Sequence, residues 1–477
     1  MYPRTSLIAL LAAGSVAAAQ PTPEVRATWL TTTSSNALDA NQIPTTMSRL
    51  KDAGLNTVYV EAWKNGYTNF RSPTLDNLLG SPGAGLNPFN GVGDILQRTS
   101  AAAREEQLVH VAWMEYGLAA QFGFPSNPLA THARDNGWLL TDKNGGFTNS
   151  SNSFTWMNPL VPEVRELLTG MAIDAVRIYG LDGIQFDDRL AWPVEFGYDG
   201  VTRDAYLAET GRNLPSNPRD AHFVSWRAEK ITEFAQEMVA DIRAAEPDVF
   251  VSASPSVFPF SVNNFAADWS EWADLELFDE YMPQVYRDNF GSFAFEWPKQ
   301  LNAAGDDADI TGAGLRIKGS GPDTPWADIL QKLQRLDQDD AYGHSFWYSN
   351  GLLDPGGYLD LVADYYDVDT VGRALHPLTA PGRAADANRD DRVNLEDFGI
   401  LRANFGRNDA LVGFRDGDFN ADGVVDLGDF GILRTEFGFG GQSTALLDAW
   451  LLTVIPEPAS AGLVGIAGLA LLLRNRS

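Results

Sequence analysis

The chain contains no cysteine, which excludes disulfides and thiolate-held metal sites together. Histidine is scarce too. His110, His132, His222, His344 and His376 stand at no paired metal-binding spacing, so zinc-dependent hydrolysis is disfavoured. Positive charge is in deficit, with 35 Lys and Arg against 63 Asp and Glu and a formal charge of −28. Nucleic acid or an anionic membrane would be repelled. No G-x-G-x-x-G follows the first strand-like segment, and no G-x-S-x-G occurs, which weighs against a dinucleotide fold and a serine-hydrolase elbow. What remains is a chain of 477 residues, 44% hydrophobic, long enough for one large core and a smaller module.

From residue 24 strand-like and helix-like segments alternate. The strand candidates are residues 25–33, 56–63, 108–117, 180–188, 248–255, 281–287, 310–317 and 343–350, with amphipathic stretches such as IPTTMSRLKDAG between most of them. Eight strands alternating with helices over about 350 residues predict an α/β fold, a parallel (β/α)8 TIM-type barrel. Long Gly-, Pro- and Asn-rich segments follow the second and third strands, and in a barrel such loops build the active face.

The segment GLDGIQFDDR, 180–189, carries the most chemical information. It reads as a buried strand ending on Asp187 and Asp188, where a barrel presents catalytic groups; an Asp-rich turn is the plainer alternative. Glu61 in YVEAW and Glu115 in VAWMEYG end two further strands. Trp63, Trp113, Tyr116, Trp156, Tyr286, Trp347 and Tyr348 flank these acids. Carboxyl groups among aromatic platforms suit glycosidic cleavage: one acid protonates the leaving oxygen, another attacks or positions water, and rings stack on sugars.

Beyond PLTAPGRAA, which reads as a linker over 377–384, the chain repeats with a period of 32 residues. DANRDDRVNLEDFGILRANFG starts at Asp386, and DFNADGVVDLGDFGILRTEFG starts at Asp418. Each copy places oxygens at positions 1, 3, 5, 9 and 12 of an EF-hand-like loop. The first set is Asp386, Asn388, Asp390, the Arg392 carbonyl, Asn394 and Asp397. The second is Asp418, Asn420, Asp422, the Val424 carbonyl, Asp426 and Asp429. Two Ca2+ ions are expected, with weaker binding in the first loop, where Asp391 replaces the turn glycine seen at Gly423. No cofactor is expected for catalysis.

Three resemblances attach to these motifs. ATWLTT, LKDAGLNTVYVEAWKNGY, WMNPLVPEVR, YGLDGIQFDDR, EFGYD and PQVYRDNF together resemble the glycosyl-hydrolase-like 10 family over roughly residues 24–372. That implies a TIM barrel and glycoside hydrolysis, in some members of cell-wall glycan. By its motifs Asp187, Asp188, Glu115, Gln284, Tyr286 and Arg287 become site candidates, and Asn158 is a further candidate for binding substrate. The duplicated loops resemble a small all-α dockerin-type module over 385–441, which implies a cohesin-like partner. Pro456-Glu457-Pro458, the apolar run 461–473 and the terminal arginines resemble a PEP-CTERM sorting tail over 454–477, after a spacer at 442–453. The tail implies sorting machinery and transient membrane contact, its run being shorter than the roughly 20 residues of a comfortable span.

Residues 1–19 read as an export signal, with Arg4, a short apolar core and Ala17-Ala18-Ala19. The resulting expectation is an exported, surface-located glycoside hydrolase with its barrel over 24–376, acting on a polysaccharide or glycan. Asp187 is the principal carboxylate, Glu115 the general acid/base, and Asp188 an orienting group. Glu61, Trp63, Trp113, Tyr116, Asn158, Gln284, Tyr286, Arg287 and Trp347 contact substrate. A carbohydrate-binding barrel without turnover is the competing expectation.

Overall fold

A computed structural model describes residues 23–33, 36–319, 321–439 and 443–454. The expected export signal, and the expected sorting tail beyond its first residue, lie outside the described residues. Among those described, no helix is long and apolar enough to cross a membrane.

All eight expected strands form. They are β1 (Val25–Leu30), β2 (Thr57–Glu61), β3 (Val109–Met114), β4 (Gly183–Asp187), β5 (Phe250–Ser254), β6 (Glu280–Tyr281), β7 (Ala313–Arg316) and β8 (Gly343–Trp347). Every neighbouring pair is parallel, in the order β6-β5-β4-β3-β2-β1-β8-β7. The two ends meet: Tyr281 bridges Thr311 in parallel, and the Gly314 amide donates to the Pro283 carbonyl at 2.9 Å. The sheet therefore closes into a barrel. β6 is shorter than the expected 281–287 because Pro283 has no amide to give a ladder. Gly314 sits where a Cβ would meet Gln284 Cα at 3.1 Å and the Trp29 ring at 3.2 Å, so a side chain there would press on the closing seam.

Strand alternation sorts side chains between two cores. Ile184 and Phe186 of β4 join the layer between sheet and helices, whereas Gln185 turns into the barrel. There it accepts from Trp29 Nε1 at 2.7 Å and donates to Ser252 Oγ at 2.9 Å. The interior is ring-filled: Trp29 lies 5.6 Å from Tyr59, 6.5 Å from Trp113 and 6.1 Å from Trp347. Such a packed interior leaves only the strand ends for chemistry.

The helix Pro162–Tyr179 starts on a proline and stops at Gly180, which takes a left-handed φ of 58°. It delivers the chain into β4. Beyond residue 385 a second core gathers Phe398, Leu401, Phe430, Leu433 and Phe437 around the helices Leu395–Asn404 and Leu427–Phe439. Within the expected spacer at 442–453 a helix starts at Ala445. Ala445–Val454 packs Trp450 within 5.1–5.4 Å of Phe398, Phe405 and Phe430. A tryptophan among three phenylalanines is better buried than left in solvent; the polar flanks at 442–444 gave the impression of a linker.

Candidate active site

The carboxyl ends of β2, β3 and β4 bring four acids together. Glu61 ends β2, Glu115 follows β3 immediately, and Asp187 and Asp188 close β4. Arg189, the next residue, stands among three of them. Its Nη1 lies 3.4 Å from Asp187 Oδ2, 3.5 Å from Asp188 Oδ1 and 3.8 Å from Glu115 Oε1. It also donates to the Glu115 main-chain carbonyl at 2.9 Å. By the sum of 3.4 and 3.8 Å, the Asp187 and Glu115 oxygens are no more than about 7.2 Å apart.

Asp187 is buried and held by donors. Gln284 Nε2 and the Asp188 amide, the latter at 2.7 Å, both donate to its Oδ1. Burial raises its pKa, the Asp188 carboxylate adds to this, and Arg189 opposes. Glu115 is likewise pushed up, first by burial and then by the Glu61 carboxylate; its Oε2 is buried with no hydrogen bond and has Lys64 Nζ 3.4 Å away. Glu61 goes the other way. Desolvation opposes its charge, but Lys64 and further donors hold its pKa below the usual value. Four carboxyls share two cations, Lys64 and Arg189. Like charges so close cannot all ionise cheaply, so the cluster retains protons at neutral pH.

The other candidates divide. Tyr286 faces the acids, its hydroxyl pushed up by burial and then by Asp187 and Asp188. It stacks on Trp347 at 5.7 Å, and both rings are half-buried. Gln284 reaches Asp187. Tyr116 is nearly covered, with the Arg189 guanidinium 5.3 Å from its ring centre.

Five expected contacts are corrected. Trp63 is fully buried and spends its Nε1 on the Gly117 carbonyl at 3.0 Å, so it is wall rather than platform and does not share a concave surface with Asp187. Trp113 is buried in the barrel interior. Glu61 is saturated by Thr31 Oγ1 at 2.9 Å, the Thr32 amide at 2.8 Å and Lys64. Asn158 is buried on Asp199 and Thr202. Arg287 turns to Glu296 at 3.2 Å. Spacing marks a residue near a strand end but not the side its chain takes, and each of these has a nearer partner than the cleft.

Arg189, Lys64 and Ser256 were missed as site residues. Ser256 Oγ donates to Asp188 Oδ2 at 3.1 Å. The signal for the two cations was their place beside acids, in FDDR and EAWK. A surface groove of about 970 Å3 lies elsewhere, lined by Arg219, Glu229, Asp268 and Glu271; it holds none of the strand-end acids.

In the C-terminal module both loops share a backbone. Residues 389 and 421 have φ of 57° and 56°, and residues 391 and 423 have φ of 63° and 91°. The expected turn position is thus left-handed in both, filled by Asp391 in one and Gly423 in the other. Asp418 Oδ2 accepts from the Gly423 amide at 2.9 Å, and Asp429 Oδ2 from Asp426 at 2.8 Å. Among the described residues no group of three or more acidic or histidine side chains forms a ready metal cage.

A parallel barrel with an acid cluster on its carboxyl-terminal rim is the architecture of glycoside hydrolases. Residues 24–311 match the family described as Glycosyl hydrolase-like 10, and the chain belongs to it. It is 21% identical over 293 residues to the glycosyl hydrolase DigH of Escherichia coli O6:H1 (strain CFT073), covering 54% of this chain and 58% of that relative. The match thus spans little more than half of that protein. The PgaB (BpsB) glycoside hydrolase domain from Bordetella bronchiseptica shares the fold, with a TM-score of 0.53 at 13% identity over 74% of this chain and 99% of that domain.

Proposed function

We propose that the protein hydrolyses glycosidic bonds in a polysaccharide or cell-wall glycan, with Asp187 as nucleophile and Glu115 as general acid/base. The observation that carries this is the meeting of Asp187 and Glu115 on one guanidinium at the barrel rim. Glu115, its pKa raised, holds the proton that the leaving glycosidic oxygen needs, while Arg189, 3.4 Å from Asp187 Oδ2, opposes the burial that raises Asp187 and favours its charged form. Asp187, fixed by Gln284 and the Asp188 amide, presents Oδ2 to the anomeric carbon. Glu115, then deprotonated, takes a proton from the water that releases the sugar. The bound of about 7.2 Å on Asp187 Oδ2 and Glu115 Oε1 admits the roughly 5–5.5 Å of retaining pairs. Asp188 and Arg189 hold the two acids in register, and Tyr286 and Trp347 floor the subsite.

Product analysis tests this: incubation with a panel of neutral polysaccharides should release new reducing ends with retained anomeric configuration. No release from any glycan would sink it. A second reading, binding without turnover, is favoured by Arg189 engaging three of the four acids and by Ser254, rather than an acid, ending β5.

Calcium belongs to the same proposal. The loops' alternating Asp and Asn oxygens suit a hard cation, and Asp386, Asp397, Asp418 and Asp429 are buried carboxylates that burial pushes upward in pKa. A bound cation would favour their charged forms. Export and surface location rest on the amino-terminal signal and the Pro-Glu-Pro tail. A cohesin-like partner would meet the helices of the module, because both loops lie against the barrel.

A further inference from the structure

After β3 the chain forms a two-stranded ribbon, Ala119–Phe122 against Phe154–Trp156, beside the acid cluster. Phe122 pairs directly with Phe154, which puts both rings on one face. Their centroids are 5.2 Å apart, and Phe154 lies 5.6 Å from Tyr116. The Arg189 guanidinium sits 4.8 Å from the Phe154 ring centre. A row of rings therefore runs from the acids outward, and it opens progressively: Tyr116 is covered, Phe154 half-buried, Phe122 59% exposed. Two residues on, Phe124, 63% exposed, forms a separate pair with Phe147 at 6.2 Å.

The ribbon is braced. The Phe122 amide donates to Asn65 Oδ1 at 2.9 Å, and Asn127 Nδ2 to the Asn65 carbonyl at 2.8 Å. Single exposed rings need no explanation, but a contiguous row joined to a candidate cleft does. The surrounding sequence narrows the occupant. Residues 119–131 and 144–162 contain no charged side chain and are rich in Asn, Ser, Thr and Gln. Rings offer stacking faces, amides and hydroxyls offer hydrogen bonds, and the chain's overall charge of −28 disfavours an acidic ligand.

We propose that this ribbon is a stacking platform for uncharged sugar units remote from the cleaved bond, so that the protein takes a neutral polysaccharide chain lengthwise. This rests on the glycan reading above but not on turnover.

The test uses the full chain carrying Asp187→Asn, electrophoresed through gels containing hydroxyethyl cellulose, glycol chitin or polygalacturonate. At least one neutral polymer should retard it, and the acidic one should not. Adding Phe122→Ala should weaken retardation roughly five- to tenfold, the worth of one stacked ring. Phe295→Ala, an equally open ring on the helix Phe290–Ala304 (71% exposed), should leave it unchanged. Undiminished retardation of the Phe122 variant overturns the proposal. So does retardation by neither neutral polymer, or by polygalacturonate as strongly as by them. Reducing-end release by the wild-type chain is scored separately, so hydrolysis can fail while the platform stands.

Discussion

Arg189 and Glu115 are joined twice: the guanidinium donates to the Glu115 main-chain carbonyl at 2.9 Å and lies 3.8 Å from its carboxylate. The first contact fixes where β3 ends relative to β4; the second balances charge. Arg189→Gln should therefore leave the barrel folded but let the acids repel one another. Hydrolysis should drop by at least tenfold, mainly in kcat, since groups held out of productive geometry cost rate steeply. A variant losing only substrate affinity would show that Arg189 binds sugar rather than organising the acids.

Asp187→Asn keeps the shape and removes the charge. Positioned acid–base groups contribute roughly 10²–10⁴-fold each, so hydrolysis should fall at least that far. Circular dichroism and the melting temperature should stay near wild type, because Gln284 Nε2 retains an amide oxygen to donate to. Near wild-type turnover on the best substrate would take Asp187 out of the mechanism.

The raised pKa of Glu115 has a sign that can be checked in stability. A carboxyl whose folded pKa lies above its unfolded value near 4.3 binds more protons in the native state. The stability it contributes is present at low pH and is lost as pH rises above that value through the folded pKa. Glu115→Gln cannot ionise, so its melting temperature should decline less than wild type between pH 5 and pH 9. Activity of the wild type should fall on the alkaline side, where Glu115 loses the proton it must donate. Parallel melting curves for the two proteins across that range would contradict burial of a reluctant acid.

The barrel was legible because its eight strands carry apolar runs between amphipathic helices, and a parallel sheet buried on both faces requires both. The acids were legible for the same reason: Glu61, Glu115 and Asp187 interrupt apolar strands just where they end. Sidedness was not. Trp63 and Tyr286 both follow barrel strands in sequence, yet one ring enters the layer beneath the helices and the other faces Asp187. Neither local pattern records which partner is nearer. Arg189 and Lys64 were visible as letters but look like ordinary solvated charges until the strands converge.

Trp63 gives a direct check of that division. If it is wall, Trp63→Ala should cost stability, about 3–5 kcal/mol for a buried aromatic, in urea unfolding of the whole protein. Any loss of glycan retardation should track the unfolded fraction. A stable variant that binds glycan weakly would restore it as a platform.

Arg71 joins the module's second Asp-rich loop to the barrel. Arg71, from the long segment after β2, donates to the Val412 carbonyl at 3.0 Å, and its Nη2 lies 3.8 Å from Asp418 Oδ2. A Cβ on Gly423 would fall 2.0 Å from Arg71 Nη1, so the glycine that suits the loop's turn also admits the guanidinium. Gln97 adds a donation to the Ala421 carbonyl at 3.1 Å. A fixed cation beside Asp418, the loop's first position, would work against Ca2+ by charge repulsion, worth about 4 kcal/mol at 4 Å and an effective dielectric of 20 before solvent screening reduces it. From loop chemistry alone the second loop should bind more tightly, having Gly423 and the extra carboxylate Asp426; in the intact chain Arg71 opposes that order. Calorimetric titration of the full chain should find two Ca2+ sites, and Asp418→Ala should abolish one of them. Arg71→Ala should tighten the second-loop site about tenfold while loosening the module's hold on the barrel, because coupling between two binding events is reciprocal. Limited proteolysis in the 377–384 linker would read that loosening, and calcium should accelerate cleavage in the wild type. Identical calcium affinities with and without Arg71 would mean that docking and metal binding are independent.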